Sequence, residues 1–404
     1  MIHSFSCKNF YSFAEDCSVS FVVNEKAPDN YGYFLAPSGI RLSKVEAVIG
    51  PNASGKTNLL KILPFMKWLI TDSSNINPTA SLPMKPFIFG SRKNEPIELS
   101  ADFEIDGNIY TYSFILEEKK IILEELSVKN KTKRKTTSKN IFSREWNSKS
   151  GQYDLNDKIF NLPSGFENSI RPNASIVSVA VRLGHKESLK FFNYWKKMET
   201  NVVEAGWIGD HFLPNASQQL IEALNFYSEV DNKTIKKEAE KLLSRFDLGL
   251  ESFEIKKEKK ENGFSIDVKV AHSFSGQAEY LPMQYESSGT KQLFVLLKTI
   301  LLVLANGGVA ALDEFDVNLH PEIVLSLYEL FIHPETNPNN AQLIFSSHSH
   351  LVLNKLDKYQ IILTEKNNKG ESEPWRLDDV SGVRADDNYY AKYIAGAYGA
   401  VPKL

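Results

Sequence analysis

One octapeptide constrains the fold of this chain more than any other feature. Residues Gly50-Pro51-Asn52-Ala53-Ser54-Gly55-Lys56-Thr57 match the pattern G-x-x-x-x-G-K-[ST] at every fixed position. The apolar run from Lys44 to Ile49 precedes it, and Asn58 to Ile70 follows with apolar residues at helical spacing. A chance match in a chain of this length has a probability of about one per cent. The pattern therefore predicts a strand, a phosphate-binding loop and a helix.

The residue types of this loop suit a nucleoside triphosphate. Its glycines let backbone N–H groups turn inward around phosphate, and the start of the following helix adds further donors. Lys56 is expected to reach the β and γ phosphates and to serve catalysis, and the Thr57 hydroxyl to bind Mg²⁺, which prefers oxygen ligands. All eight residues are predicted to bind the nucleotide: Gly50, Pro51, Asn52, Ala53, Ser54, Gly55, Lys56 and Thr57.

An acidic pair far downstream supplies what hydrolysis additionally needs. The apolar run Val309 to Leu312 is predicted to be a core strand that ends at Asp313 and Glu314. Asp313 is expected to hold Mg²⁺, and Glu314 to position the attacking water beside the γ-phosphate. Such a pair alone is more often a solvated strand end, but the phosphate-binding loop favours the functional interpretation. Asp316 is predicted to order the site across a subunit interface.

One segment, 292–312, is apolar enough to suggest a membrane span. Lys298 and the run Asn306-Gly307-Gly308 interrupt it, so we expect a buried helix over Leu293 to Leu304 and the short strand instead. Residues 1–16 lack the features of a secretory signal, and two cysteines cannot form a disulfide framework. These observations predict a cytoplasmic, reduced protein without a membrane contact.

Charge gives one local candidate for a nucleic-acid contact. The net charge of −3 provides no chain-wide attraction for a polyanion. The densest basic run lies at residues 129–135, and it either contacts a nucleic-acid backbone or an acidic partner, or is a solvated hairpin tip. The second alternative is favoured, because charge runs are usually only solvated. The residues concerned are Lys129, Lys131, Lys133, Arg134 and Lys135.

The order of these motifs resembles the ABC-type ATPases of the RecF, SMC and OLD-like branch. Ser287-Ser288-Gly289-Thr290-Lys291-Gln292 is similar to the branch's signature segment, S-x-G at the start of a helix. The resemblance implies that ATP binds between two copies of the chain, and that Ser287 and Gly289 contact the nucleotide held by the other copy. Leu343-Ile344-Phe345-Ser346-Ser347-His348 resembles the switch-histidine segment, which implies that His348 contacts the γ-phosphate, with His350 ranked second.

The resemblance also implies a fold and a division of the chain. The expected fold is α/β: a P-loop NTPase of ABC-ATPase type with a mixed central sheet, flanking helices, an antiparallel β meander and an inserted, largely helical subdomain. Alternation predicts the meander over Ile97 to Leu126, with a hairpin at Asp106-Gly107. The predicted segments are a first core part (1–126), a basic hairpin with a helical subdomain (127–250) and a second core part (251–404).

Two further segments narrow the resemblance to AAA-labelled ATPases of bacterial abortive-infection and anti-phage operons, RloA-like or AbiL-like. They are Ala311 to Pro321, around the acidic pair, and the tail from Trp375 to Pro402. The implied role is a cytoplasmic, homodimeric or larger ATPase that converts ATP and water to ADP and phosphate as a switch. It would answer a phage-encoded trigger and control a separate nuclease or toxin effector, because the 56 residues after His348 are too few for an attached nuclease domain.

Other functions stay open at this point. One alternative is a RecF-like DNA-repair ATPase, which would bind DNA when ATP closes the dimer. A second is a transporter subunit that couples ATP hydrolysis to a membrane partner, and a third is a nucleotide-locked scaffold that hydrolyses almost no ATP. The signature segment lacks the second adjacent glycine of transporters, which argues against the transporter subunit. Glu314, a candidate for positioning water, argues against the scaffold. No glutamine stands where a Q-loop is expected. Phe10 or Phe13 is the candidate to stack on the base, with core packing as the favoured alternative.

Overall fold

A computed structural model describes residues 1–131, 136–202, 216–246, 250–260 and 263–402. The strands are β1 (Ile2–Lys8), β2 (Cys17–Ser20), β3 (Tyr33–Leu35), β4 (Arg41–Ser43), β5 (Val45–Ile49), β6 (Ile97–Ile105), β7 (Asn108–Glu117), β8 (Lys120–Lys131), β9 (Thr136–Asn147), β10 (Gln152–Asn156), β11 (Glu199–Thr200), β12 (Leu250–Lys260), β13 (Gly263–Phe274), β14 (Gln277–Pro282), β15 (Val309–Leu312), β16 (Gln342–Ser346), β17 (Ile361–Lys366) and β18 (Ser372–Arg376). The helices are α1 (Lys56–Leu60), α2 (Ile62–Thr71), α3 (Ile176–Arg182), α4 (Lys186–Lys196), α5 (Ala216–Ser228), α6 (Lys233–Phe246), α7 (Ser288–Asn306), α8 (Pro321–Ile332) and α9 (Tyr389–Ile394).

A mixed sheet in the order β11-β15-β16-β5-β17-β18 carries the site. Its strands are parallel except β18, which pairs with β17 in the opposite direction. Strands β5, β15 and β16 are buried along their whole length, as expected for parallel strands covered on both faces. Their carboxyl ends meet at one edge of the sheet, where ligands of open α/β sheets bind. The expected α/β fold with a mixed central sheet and flanking helices is confirmed.

A second, antiparallel sheet in the order β10-β9-β8-β7-β6-β1-β2 contains the predicted meander. Asp106 and Gly107 have positive φ angles of 50° and 77°, which a two-residue hairpin turn of the primed type requires. Strands β9 and β10 lie in a polar segment for which alternation predicts no strand. Strand β10 alternates exposed and half-buried residues at the sheet edge, so it lacks the apolar stripe that alternation detects.

Two hydrophobic cores meet at β5. Val48 belongs to the core under the antiparallel sheet with α2, α3 and α4, whereas Val45, Ala47 and Ile49 belong to the core formed by α5 to α8. This division follows from the alternation of side chains along a strand. The phosphate-binding loop is therefore anchored to both cores through the strand that precedes it.

Helix α7 is the one candidate membrane span by length and composition among the described residues, and half of its apolar window is buried. Its residues Leu293, Leu297 and Ile300 lie in the second core, so the predicted pair of buried helix and core strand is confirmed. The cytoplasmic localisation stays a prediction.

The division at residues 126 and 250 stays a prediction as well. Strand β8 runs across residue 126, and helices α3 and α4 pack in the first core while α5 and α6 pack in the second.

The helix predicted over Asn58 to Ile70 begins earlier, at Lys56, and is divided at Lys61 into α1 and α2. Helix α3 lies where no helix was predicted.

Candidate active site

The glycines of the loop are required by close approach of a neighbouring hairpin. A Cβ atom on Gly50 would lie 2.2 Å from the carbonyl oxygen of Thr364, and one on Gly55 would lie 2.4 Å from Ser372 Oγ. Gly55 also has a φ of 111°, which a residue with a side chain rarely adopts. The loop can therefore pack against this hairpin only because both positions lack a side chain.

Lys56 is buried and lies along the loop that precedes it. Its Nζ donates to the carbonyl oxygens of Gly50 at 2.8 Å and Pro51 at 3.1 Å. Burial lowers the pKa of Lys56, and the carboxylates of Asp313 and Glu314 oppose this shift by favouring the charged form. The acidic pair is thus close enough to influence the lysine, as the predicted site requires.

A cleft of about 470 Å³, which we call the P-loop cleft, brings the predicted groups together. Its size falls within the range of small-molecule sites. Gly50 and Pro51 face an adjoining cleft of about 510 Å³, the tail cleft, which also includes Tyr393 and Pro402 from the C-terminal segment. The P-loop cleft is lined by Asn52, Ala53, Ser54, Gly55, Lys56, Thr57, Asn58, Asp313, Glu314, His348 and Lys366.

The acidic pair is positioned by one serine at the end of β16. Ser346 Oγ donates to Asp313 Oδ1 at 2.5 Å and accepts from the backbone N–H of Glu314 at 2.8 Å. Glu314 has a positive φ of 49°, uncommon for a residue with a long side chain and often found at functional sites. Because Ser346 also ends the strand before His348, it links the acidic pair to the switch-histidine segment.

Asn201 is a second positioning residue that sequence reasoning missed. Its Oδ1 accepts from the backbone N–H of Asp313 at 2.7 Å, and its Nδ2 donates to the carbonyl oxygen of Asp313 at 2.9 Å. This bidentate contact spans 112 residues of sequence. No local pattern points to Asn201, whereas Ser346 stands within the quoted switch-histidine segment.

The chemistry of the donors fits Mg²⁺. Thr57 and Asp313 both line the P-loop cleft and offer hard oxygen atoms, which Mg²⁺ prefers. Among the described residues, no group of three or more His, Cys, Asp or Glu side chains forms a metal site. Mg²⁺ is usually held by one or two protein oxygens together with phosphates and water, and Thr57 and Asp313 would supply those oxygens here.

Asp316 holds the turn that presents His348. Its carboxylate accepts from the backbone N–H of His348, at 3.1 Å to either oxygen, and from that of Ser349 at 2.7 Å. The predicted contribution of Asp316 across a subunit interface stays a prediction. His348 Nε2 lies 3.8 Å from Glu314 Oε1, and His350 faces the tail cleft, with its ring 4.9 Å from that of Tyr393.

The signature residues do not line the P-loop cleft of their own chain. Ser287 caps α7 by accepting from the backbone N–H of Thr290 at 3.0 Å. A Cβ atom on Gly289 would lie 2.8 Å from the carbonyl oxygen of Asn318, two residues beyond Asp316, so the glycine is needed for close packing. The signature segment thus packs against the residues that follow the acidic pair.

The proposed base platform is wrong for both aromatic candidates. Phe10 and Phe13 are fully buried, so neither ring can stack on a base, and the alternative of core packing is confirmed. Lys129, the first residue of the basic run, lies on β8 and pairs with Asp102 at 2.5 Å. The Lys131 side chain and the residues Lys133, Arg134 and Lys135 lie outside the described part of the chain.

A family model described as "AAA domain, putative AbiEii toxin, Type IV TA system" matches residues 47–354, about three quarters of the chain. The chain belongs to this family. The matched region runs from β5 to the residues just beyond His350, so it contains every group that lines the P-loop cleft except Lys366. The family match confirms the predicted resemblance to AAA-labelled ATPases.

Solved structures similar to the chain include SMC head domains. The head domain from Thermotoga maritima is 15% identical, with coverage of 93% of this chain and 98% of that one and a TM-score of 0.41. The head domain with an extended coiled coil, bound to the C-terminal domain of ScpA derived from Pyrococcus furiosus, is 14% identical, with coverage of 94% and 97% and a TM-score of 0.43. No curated protein matches the sequence.

Proposed function

We propose that the chain hydrolyses ATP at the P-loop cleft and that a second copy completes the site. One observation supports this most directly. The side chains of Glu314 and His348 are 58% and 43% exposed, although they stand beside the loop that binds phosphate. Charge development in a phosphoryl-transfer transition state is best stabilised in a preorganised, water-excluded site. A second surface over the cleft would provide that environment.

Each group in the cleft has a defined role in this proposal. The loop N–H groups and Lys56 bind the phosphates, while Thr57 and Asp313 hold Mg²⁺, which when bound neutralises phosphate charge. Glu314 accepts a hydrogen bond from the attacking water and orients it toward the γ-phosphate. His348 donates to an oxygen of that phosphate, and the turn held by Asp316 fixes its backbone.

The signature segment is the part of the second copy that we propose to cover the cleft. Ser287 and Ser288 are exposed at the start of α7, where backbone donors and the positive end of the helix suit a phosphate. Because ATP would bridge the two copies and ADP would not, binding and hydrolysis would close and open the dimer. The ATPase would then act as a switch.

The biological role that we propose is the control of a toxic effector in an antiviral defence system. The family description names an abortive-infection toxin and a toxin–antitoxin system, which supports a role of this kind. We propose that a separate nuclease or toxin chain is the effector and that a phage product is the trigger. Purifying the tagged chain from its own operon and identifying co-eluting chains by mass spectrometry tests this part, and recovery of the ATPase alone would count against it.

The composite site has a sharper test, which uses two inactive variants. Lys56→Ala should lose tight ATP binding, and Ser288→Arg should block the face that docks on the second copy while leaving the Ser287 cap in place. Each variant alone should be inactive, but an equimolar mixture should recover activity, because a mixed dimer contains one intact site. Glu314→Gln should retain ATP and accumulate as a dimer in light scattering. Equal ATP affinity of wild type and Lys56→Ala would contradict the site.

A further inference from the structure

A second lysine faces the phosphate end of the cleft and has no role in the function proposed so far. Lys366 is the last residue of β17, its side chain is exposed, and it lines both the P-loop cleft and the tail cleft. It lies outside the segment matched by the family model. No ion pair with Lys366 is found among the described residues, so its charge is available to a ligand.

The strand that carries Lys366 is fixed to the phosphate-binding loop. Thr364, two residues earlier, has its Oγ1 atom 2.8 Å from Ser54 Oγ, and its carbonyl oxygen occupies the space where Gly50 would carry a side chain. On the paired strand β18, Ser372 packs in the same way against Gly55. A group held by rigid elements is preorganised for a ligand bound by the same loop.

Strand geometry places Lys366 on the face of β17 that meets the loop, and its acidic neighbour Glu365, which also lines the tail cleft, bonds to the C-terminal tail. Side chains two residues apart on a strand share a face, so Lys366 lies on the face from which Thr364 contacts Ser54. The intervening Glu365 accepts from the backbone N–H of Ala400 through its Oε2 atom at 2.9 Å. The carboxylate of Glu365 is therefore already hydrogen-bonded to the C-terminal tail.

The residues that share both clefts with Lys366 place it at the γ-phosphate end. They are Asn52, Ala53, Ser54 and His348. His348 Nε2 lies 3.8 Å from Glu314 Oε1, the group that we propose to orient water beside the γ-phosphate, so the shared part of the two clefts adjoins that end of the site. Lys56 is already bonded to two loop carbonyls.

We propose that Lys366 is a second cationic contact to the terminal phosphate of the bound nucleoside triphosphate. The inference rests on the proposed function. Its ammonium group donates to a γ-phosphate oxygen and balances the charge carried by the phosphoryl group during transfer, as added cations do in other phosphoryl-transfer sites. Lys366 therefore favours triphosphate over diphosphate, since ADP has no γ-phosphate for it to contact.

The test compares Lys366→Gln with Lys369→Gln, which removes an exposed lysine from the turn of the same hairpin. Lys366→Gln should weaken the affinity for ATPγS by about tenfold, the magnitude of one charged hydrogen bond, and leave the affinity for ADP within about twofold. It should also lower kcat by about tenfold. Lys366→Arg should restore most of both properties, because it keeps the charge, and Lys369→Gln should match the wild type.

Two results would overturn the assignment. One is a Lys366→Gln variant whose ratio of ATPγS to ADP affinity equals that of wild type. The other is an equal loss of affinity for both nucleotides together with a lower melting temperature, which would show a structural role. Absence of hydrolysis by wild type would instead refute the proposed function, and in that case the nucleotide affinities still decide the role of Lys366. A catalytically active wild type with unchanged ratios in the variant would refute only the present inference.

Discussion

The Ser346 hydroxyl lies 2.5 Å from the carboxylate of Asp313 and donates a hydrogen bond to it. The same oxygen accepts from the backbone N–H of Glu314 at 2.8 Å. One buried side chain therefore sets the rotamer of the predicted metal ligand and the backbone of the predicted water-positioning residue. Because Ser346 does not line the P-loop cleft but bonds two residues that do, it acts as a positioning residue.

Replacing Ser346 by alanine should remove the hydroxyl that holds both Asp313 and Glu314 in place. Asp313 would lose its only hydroxyl donor among the described residues, and the Glu314 N–H would lose its acceptor. Loss of such a second partner to a metal ligand typically costs about 10- to 100-fold in activity or metal affinity. We expect kcat to fall within that range and the Mg²⁺ concentration for half-maximal activity to rise. Ser349→Ala, three residues on, is the matched control, and equal kinetics of the two variants would contradict the role.

Asn201 should matter through the backbone of Asp313. Asn201→Ala removes both hydrogen bonds that hold the backbone N–H and C=O of Asp313. An unsatisfied, partly buried pair of backbone groups costs on the order of 1–3 kcal/mol. We expect the free energy of unfolding to fall by about 1 kcal/mol and kcat to fall by about tenfold. Asn168→Ala, at an exposed asparagine, controls for the loss of an amide, and a fully active Asn201→Ala variant would show that the clamp is dispensable.

Asp316 should be tested with two substitutions of different severity. Its carboxylate accepts from the backbone N–H groups of His348 and Ser349. Asp316→Asn keeps one acceptor oxygen, whereas Asp316→Ala keeps none, so activity should decrease in the order wild type, Asn, Ala. We expect about a tenfold loss of kcat for alanine and a smaller one for asparagine. If the two variants were equally impaired, the negative charge rather than the turn would be what matters.

Sequence alone could predict that the three proposed catalytic motifs belong to one site, because each motif is local and the structure places all three at one cleft. The loop Gly50–Thr57, the pair Asp313-Glu314 and the strand before His348 each keep their chemistry within a few residues, and the parallel sheet brings the ends of their strands to one edge. Asn201 could not be predicted. Its partner is 112 residues away, and only the fold places β11 beside β15.

Other differences have physical reasons in the packing. Phe10 is a candidate base platform by residue type, with core packing as the favoured alternative, and the structure confirms the alternative: the ring is buried beside Phe65 of α2. Lys129, the first residue of the basic run, looks like a free positive charge in the sequence, yet Asp102 on β6, two strands away in the sheet, pairs with it. In both cases a tertiary contact determines what the side chain is available to do.

A buried carboxyl on β5 gives a prediction of a different kind. Glu46 is fully buried on the face of β5 opposite Val45 and Ala47, and neither of its oxygens has a hydrogen-bond partner among the described residues. Burial raises its pKa well above the ordinary value of 4.5, and the charge of Arg376 only partly opposes this. In the unfolded chain the carboxyl has its ordinary pKa.

Glu46→Gln should therefore stabilise the protein increasingly as the pH rises. Because the folded-state pKa of Glu46 is the higher one, its contribution to stability is fully present below about pH 4.5 and is lost as the pH rises toward the folded value. Each unit of difference corresponds to about 1.4 kcal/mol, so the variant should gain at least about 1 kcal/mol over wild type between pH 5 and pH 8. Urea unfolding across this range measures the gain, with Glu25→Gln at an exposed glutamate as the control. A difference between variant and wild type that stayed constant with pH would mean that Glu46 does not titrate differently in the folded and unfolded states.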